Sequence, residues 1–375
     1  MIVVNSSQRV YRQTICSHPM LKPRATIVGL SPYHSPILSR AGLSLDLNES
    51  MAGCSPGVLA RLRSLSAADL SFYPQREGGE LLAATFLRLA PEQVLLTNGM
   101  DEALSLLFAT YLGSSDNDPN DELLFADPTF VMYPMLGEAL GAKMVRVQSG
   151  EDLALPVADL LARISRHTRV IAIANPNNPT GLGASRADLL KIAEAAPDAA
   201  VLIDEAYFEF CGETLIGDLA RHPNLFVART FSKAYGLAGL RLGAVTGAAE
   251  QIGYLRRHGL PFNVNSVALA CLEEALADQA FVSDHVAQVK QGRERLAQLF
   301  GELGLRFWPS QTNFVLVRVG APAKAFVESM QRRGILVRDS SANPGCDGCV
   351  RITVGTPKQM DGVLQAMREA IAETV

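Results

Sequence analysis

The chain has 375 residues, 48% of them hydrophobic and 19% charged, with a formal net charge of −4. That length can bury a sizeable core and suffices for two domains. The charge balance excludes a global attraction to nucleic acid or membrane, so an anionic ligand has to be met by local basic groups. No apolar run reaches the roughly 18 residues of a membrane span.

The six cysteines are scattered except for Cys346-Asp-Gly-Cys349. That pair has the spacing of a redox or metal site, but no second Cys/His pair completes a zinc site. Reduced, incidental cysteines in a cytoplasmic setting are expected. Residues 1–45 carry Arg9, Arg12, Lys22, Arg24 and Arg40 and no acid. A transit peptide shares that description. Pro32, Tyr33 and Pro36, with no amphipathic helix before them, favour an N-terminal arm that packs with the small domain.

Apolar spacing predicts helices over 56–65 and 79–89, a short strand over 93–96 and an amphipathic helix over 100–112. Strand over 123–126, helix over 130–140 and strand over 143–147 follow. A buried strand over 170–174 runs into Asn175-Pro-Asn-Asn-Pro-Thr-Gly181, a strong turn sequence. Then come helix 187–196 and strands 200–203 and 225–228. This alternation predicts an α/β fold with a mostly parallel sheet between helices, in a large domain spanning 46–260. Turn formers at Gly259-Leu-Pro-Phe-Asn263 close it. A long helical region over 265–303, strands 313–319 and 350–354, and helices 322–333 and 357–372 predict a smaller α+β domain over 261–375.

Ligands of such sheets sit at the carboxyl ends of strands, and the residues with chemical potential lie there. Thr97-Asn-Gly-Met-Asp101 turns a strand into a helix, whose first N–H groups suit a phosphate. Asn178 is not needed by its turn and can donate to a ring oxygen. Asp204 ends a very apolar strand, where an acid needs a partner. A protonated pyridine nitrogen is a suitable one, and the pairing would lower the carboxylate's pKa. Glu205 is the competing acid, facing the other way on the strand, and Tyr207 follows. Lys233 lies in Arg229-Thr-Phe-Ser-Lys-Ala-Tyr-Gly-Leu-Ala-Gly-Leu-Arg241, beside Ser232 and eight residues before Arg241. A lysine makes a Schiff base with an aldehyde cofactor, while hydroxyls and an arginine hold a phosphate.

Together these segments resemble the fold-type I, class I/II pyridoxal-phosphate aminotransferases, and within them the histidinol-phosphate aminotransferase family. The resemblance runs from about Tyr33 to the C-terminus. Arg351-Ile-Thr-Val-Gly-Thr356 is characteristic of the histidinol-phosphate branch. The resemblance implies that Lys233 binds pyridoxal 5'-phosphate covalently and that Asp204 pairs with the ring nitrogen. It implies that Asn178 and Tyr207 hold the ring oxygen and that Phe130 stacks on the ring. Gly99 and Met100 amides, Thr230, Ser232 and Arg241 would cradle the phosphate, joined by Tyr73 from the neighbouring subunit of a homodimer. Arg338 and Arg351 would bind the anionic end of the substrate with Tyr33 helping; Asp339 is a structural partner to consider for Arg338.

The implied reaction is a double displacement on small molecules, L-histidinol phosphate as amino donor and 2-oxoglutarate as acceptor. Aromatic or other amino-acid transamination is an alternative, as is threonine-phosphate decarboxylation, which Val337-Arg-Asp-Ser-Ser-Ala-Asn-Pro-Gly345 also resembles. A non-catalytic ligand-sensing domain is a further one, without the helix-turn-helix that usually accompanies it. One departure bears on substrate. The family usually shows Asn-Glu-Asn-Pro-x-Gly where this chain has Asn48-Glu-Ser-Met-Ala-Gly53.

Overall fold

The computed structural model describes residues 21–32, 42–113 and 120–374. Its centre is a seven-stranded sheet of β2 (Val94–Asn98), β3 (Glu122–Asp127), β4 (Lys143–Gln148), β5 (Thr168–Ala174), β6 (Ala200–Asp204), β7 (Leu225–Thr230) and β8 (Leu242–Thr246). The order is β2-β8-β7-β6-β5-β3-β4, with only β8 antiparallel to its neighbours. β3, β6 and β7 are buried at every position, as a sheet covered on both faces requires.

The two faces follow from side-chain alternation. Leu123, Phe125, Ala172, Leu202, Phe226 and Ala228 pack under the helices Met100–Tyr111 and Met132–Leu140. Leu124, Ile171, Ile173, Val201, Ile203 and Val227 pack under Val157–Arg163 and Arg186–Ala195. Each such large side chain contributes roughly 1.5–3 kcal/mol by leaving water. The same alternation puts Asp204 on the first face and Glu205 on the second. Glu205 is fully buried there and held by the Arg229 guanidinium at 2.7 Å, the Leu215 N–H at 2.8 Å and the Thr214 hydroxyl at 2.8 Å. Its charge is therefore spent on structure.

A second sheet has the order β12-β13-β10-β9, made of β9 (Arg306–Phe307), β10 (Phe314–Arg318), β12 (Arg338–Asp339) and β13 (Cys349–Thr353), all antiparallel. The helices Gln279–Glu302, Ala323–Arg332 and Pro357–Thr374 cover it. β1 (Leu43–Ser44) pairs in parallel with β11 (Ile335–Leu336). Of the expected N-terminal arm, residues 1–20 and 33–41 lie outside the described residues, including Tyr33. The short helix Ala25–Val28 rests against Met132–Leu140, where Arg24 and Thr26 donate to the Ala139 carbonyl.

The long helical region expected over 265–303 is helical in two pieces. The structure breaks it at Asp278, which ends Ser266–Ala277 and caps Gln279–Glu302 by accepting the Phe281 N–H at 3.1 Å. β8 and the helices Val157–Arg163 and Ala249–His258 carried no separate prediction. β8 follows a glycine-rich turn and is too short to show a period of its own.

Candidate active site

Five strands deliver their carboxyl ends to one place. β2 leads into Gly99, β3 into Phe130, β5 into Asn178, β6 ends in Asp204 and β7 ends in Thr230, just before Ser232 and Lys233. Arg241 sits immediately before antiparallel β8, so it reaches the same edge.

At one end of the cluster an anion cradle is built from glycine. Gly99 has φ +76 and caps the helix Met100–Tyr111. A Cβ there would collide with the Arg241 guanidinium, and a Cβ on Gly243 would meet the Met100 nitrogen at 2.8 Å. Only bare backbone lets these segments approach. The Gly99 N–H, expected to face a phosphate, instead donates to the Thr97 carbonyl at 2.9 Å. The N–H groups of the first helical turn, from Met100 on, have no helical acceptor and are the donors left for an anion. Arg241 pairs with Asp101 at 3.0 Å in a half-exposed contact, a pairing weak enough for a dianion to displace. Thr230 and Ser232 are buried and bonded to each other at 3.0 Å.

At the other end lies Asp204, buried at the tip of β6. Tyr133 donates to its Oδ2 at 2.8 Å and the Ala206 N–H to its Oδ1 at 3.0 Å. Burial pushes its pKa up to about 6 in spite of these bonds. The lowered value expected from the sequence belongs to Asp204 paired with a ring nitrogen; among the described residues the protein itself gives Asp204 a phenol and an amide but no basic side chain. A buried carboxylate so placed is completed by a cationic ring nitrogen, which would bring the pKa down. Sequence reasoning missed Tyr133. Its only signal is a position one helical turn after Phe130, with which it makes an edge-to-face contact at 5.9 Å.

Between the two ends Lys233 is partly buried, its Nζ donating to the Leu47 carbonyl at 3.2 Å. Desolvation, helped by the Arg351 and Arg241 charges, lowers its pKa to about 8. The neutral amine, the nucleophilic form, is thereby accessible near neutral pH. Tyr207 accepts from Asn48 Nδ2 at 2.8 Å and leans edge-on against Phe314. Asn178 accepts from Arg351, whose other nitrogen donates to the Asp46 carbonyl at 2.6 Å.

Arg338 and Arg351 are register partners on β12 and β13, so their side chains leave the sheet on one face. Asp339 does not pair with Arg338. It accepts the Ser341 N–H at 2.8 Å, and among the described residues no carboxylate forms an ion pair with Arg338. Tyr73 stands apart from the cluster in its own chain. It is 77% exposed and stacked on Phe262 with centroids 4.5 Å apart.

Residues 43–367 match the family model "Aminotransferase class I and II". The chain belongs to that family.

This aminotransferase is 35% identical to histidinol-phosphate aminotransferase 1 of Bacillus cereus over 340 residues, 89% of this chain and 90% of that one. It is 36% identical to histidinol-phosphate aminotransferase 2 of Pseudomonas fluorescens over 337 residues, covering 88% and 89%. Among solved structures it is similar to the histidinol-phosphate aminotransferase of Sinorhizobium meliloti in complex with pyridoxal-5'-phosphate. The TM-score is 0.87 at 26% identity, over 95% of this chain and 99% of that one. The L-threonine-O-3-phosphate decarboxylase of Porphyromonas gingivalis shares the fold, with a TM-score of 0.77 at 22% identity over 88% and 99%. The protein is thus a pyridoxal-phosphate-dependent aminotransferase acting on small molecules, with the α/β fold expected of fold type I. Among the described residues no helix is long and apolar enough to cross a membrane, and no group of His, Cys, Asp and Glu is arranged to hold a metal ion.

Proposed function

We propose that this aminotransferase takes the amino group from L-histidinol phosphate and passes it to 2-oxoglutarate. The observation that carries the substrate reading is the pair Arg338 and Arg351, side by side in register on β12 and β13, with Arg351 bonded to Asn178. Two guanidinium forks on one face suit a dianionic phosphate in one half-reaction and a carboxylate in the other. The names of the relatives support the same donor.

Pyridoxal phosphate, when bound, supplies an aldehyde for amine capture and a ring that accepts the electron pair released at the substrate carbon. The chain's own residues do the rest. Lys233 would hold the cofactor through its Nζ, and the same amine would carry the proton to and from the substrate carbon. Asp204 keeps the ring nitrogen protonated, with Tyr133 orienting the carboxylate. Tyr207 and Asn178 bind the ring oxygen, and Phe130 covers the ring face. Met100 and its first-turn neighbours, Thr230, Ser232 and Arg241 would receive the phosphate, and Gly99 serves only by leaving room for the Arg241 guanidinium. Tyr73 reaches that phosphate from the second subunit of a homodimer, which agrees with its exposure here. The division into a large domain over 46–260 and a small domain over 261–375 belongs to the same proposal, with the site between the two sheets.

The test is a half-reaction screen. Holoenzyme is mixed with L-histidinol phosphate, an aromatic amino acid or threonine phosphate, and the cofactor's visible band is followed. Rapid bleaching by histidinol phosphate at the lowest concentration supports the assignment. Preferential bleaching by an aromatic amino acid, or carbon dioxide release from threonine phosphate without a keto acid, replaces it with the matching alternative.

A further inference from the structure

Asp46, Leu47 and Asn48 are consecutive, and each grips a different residue of the site. The Asp46 carbonyl takes Arg351 Nη2 at 2.6 Å, the Leu47 carbonyl takes Lys233 Nζ at 3.2 Å, and Asn48 Nδ2 donates to the Tyr207 hydroxyl at 2.8 Å. The first two contacts are through backbone, so only the third depends on side-chain identity.

Asn48 is 2% exposed and has φ 56. Asn, Asp and Gly tolerate that left-handed conformation best. It is pinned on every side. Its N–H donates to Thr353 Oγ1 at 3.1 Å, its carbonyl accepts from Asn313 Nδ2 at 3.0 Å, and its Oδ1 accepts from Thr353 Oγ1 at 3.3 Å. In the structure the amide has its oxygen toward the Thr353 hydroxyl, which donates to it, and its NH2 toward Tyr207.

The polarity matters. A phenol has one hydrogen and accepts with its lone pairs. Because the amide donates, it occupies a Tyr207 lone pair and leaves the hydroxyl hydrogen unused. Among the described residues no acceptor takes that hydrogen.

We propose that Asn48 is a positioning residue that holds the Tyr207 hydroxyl hydrogen ready for the cofactor's ring oxygen. The inference rests on the cofactor placement proposed above. A hydroxyl that donates to that oxygen stabilises its anion once the Lys233–cofactor linkage has lost its proton, and so lowers the pH at which the visible band changes. Asn48 thereby tunes the linkage through Tyr207 without touching the cofactor.

The experiment titrates that band. Asn48→Asp keeps shape and backbone conformation but presents an acceptor, so the Tyr207 hydrogen turns toward residue 48. The spectral midpoint should rise by about one pH unit more in the Tyr207 protein than in a Tyr207→Phe background. The Phe background subtracts the through-space effect of the new charge. Asn48→Gly relaxes the backbone and removes the donor. Its cofactor dissociation constant should rise about 3–10-fold with Tyr207 present and stay unchanged in the Tyr207→Phe background. This second variant decides the matter if Asn48→Asp does not fold. Equal midpoint shifts in both backgrounds, or equal affinity losses, would overturn the role of Asn48 while leaving the cofactor site intact. A wild-type holoenzyme with no pH-dependent visible band would instead remove the placement on which the inference rests.

Discussion

Arg351 donates to Asn178 Oδ1 with one nitrogen and to the Asp46 carbonyl with the other. One guanidinium thus joins the proposed substrate end of the site to a proposed ligand of the cofactor ring oxygen. Arg351→Ala removes a charge-assisted contact of about 3 kcal/mol, so substrate affinity should drop about 100-fold. Cofactor affinity should fall much less, since Asn178 is kept. Arg351→Lys should recover only a small part, because an ammonium cannot make the planar fork. Equilibrium binding of both ligands to each variant checks the split.

The Lys233 amine, with its pKa lowered to about 8, sets the pH dependence of cofactor capture. Only the neutral amine attacks the aldehyde. The second-order rate at which apoprotein takes up pyridoxal phosphate should rise with pH and level off above about 8. Stopped-flow measurement from pH 6 to 10 gives the curve. A rate still climbing near the ordinary lysine value of 10.5 would contradict the desolvated amine.

Asp204 predicts an apoprotein stability slope of definite sign. Its folded pKa of about 6 lies above the ordinary 3.8. Between those values the folded chain keeps a proton that the unfolded chain has lost, so stability falls as pH rises through the window and is level above it. Apoprotein melting temperature should show this contribution, and Asp204→Asn should lack it. Loading with cofactor should raise the wild-type melting temperature more than that of the variant, since only the carboxylate can pair with a cationic ring.

Tyr73 offers a test of the subunit arrangement. Tyr73→Ala should weaken cofactor affinity about tenfold through the lost phosphate contact. In hybrids of Tyr73→Ala with Lys233→Ala, one site per dimer regains both residues. Titration of the hybrid should show wild-type affinity at that site. Uniformly weak binding would place Tyr73 outside the partner's site.

The strand-and-turn frame and most of the cluster were legible because the chemistry is local in sequence. Asp204 ends an apolar run, Lys233 follows another, and Asn178 sits in a turn, so a strand's carboxyl end marks each of them. What escaped is non-local. Tyr133 meets Asp204 across 71 residues and Asn48 meets Tyr207 across 159. No spacing rule records such contacts, which arise only when the sheet closes. Glu205 illustrates the same limit. Alternation put it on the opposite face, but its partner Arg229, which also lies over the Phe208 ring at 3.4 Å, emerges only from the pairing of β6 with β7. The lowered Asp204 pKa expected from the sequence belongs to its pairing with a ring nitrogen, and the raised value belongs to the protein alone.

The most direct measurement is borohydride reduction of the yellow holoenzyme followed by peptide mass analysis. The account predicts a single reduced cofactor adduct on the peptide containing Lys233, with none on Lys191 or Lys290. An adduct on another lysine, or none at all from fully loaded protein, would contradict it.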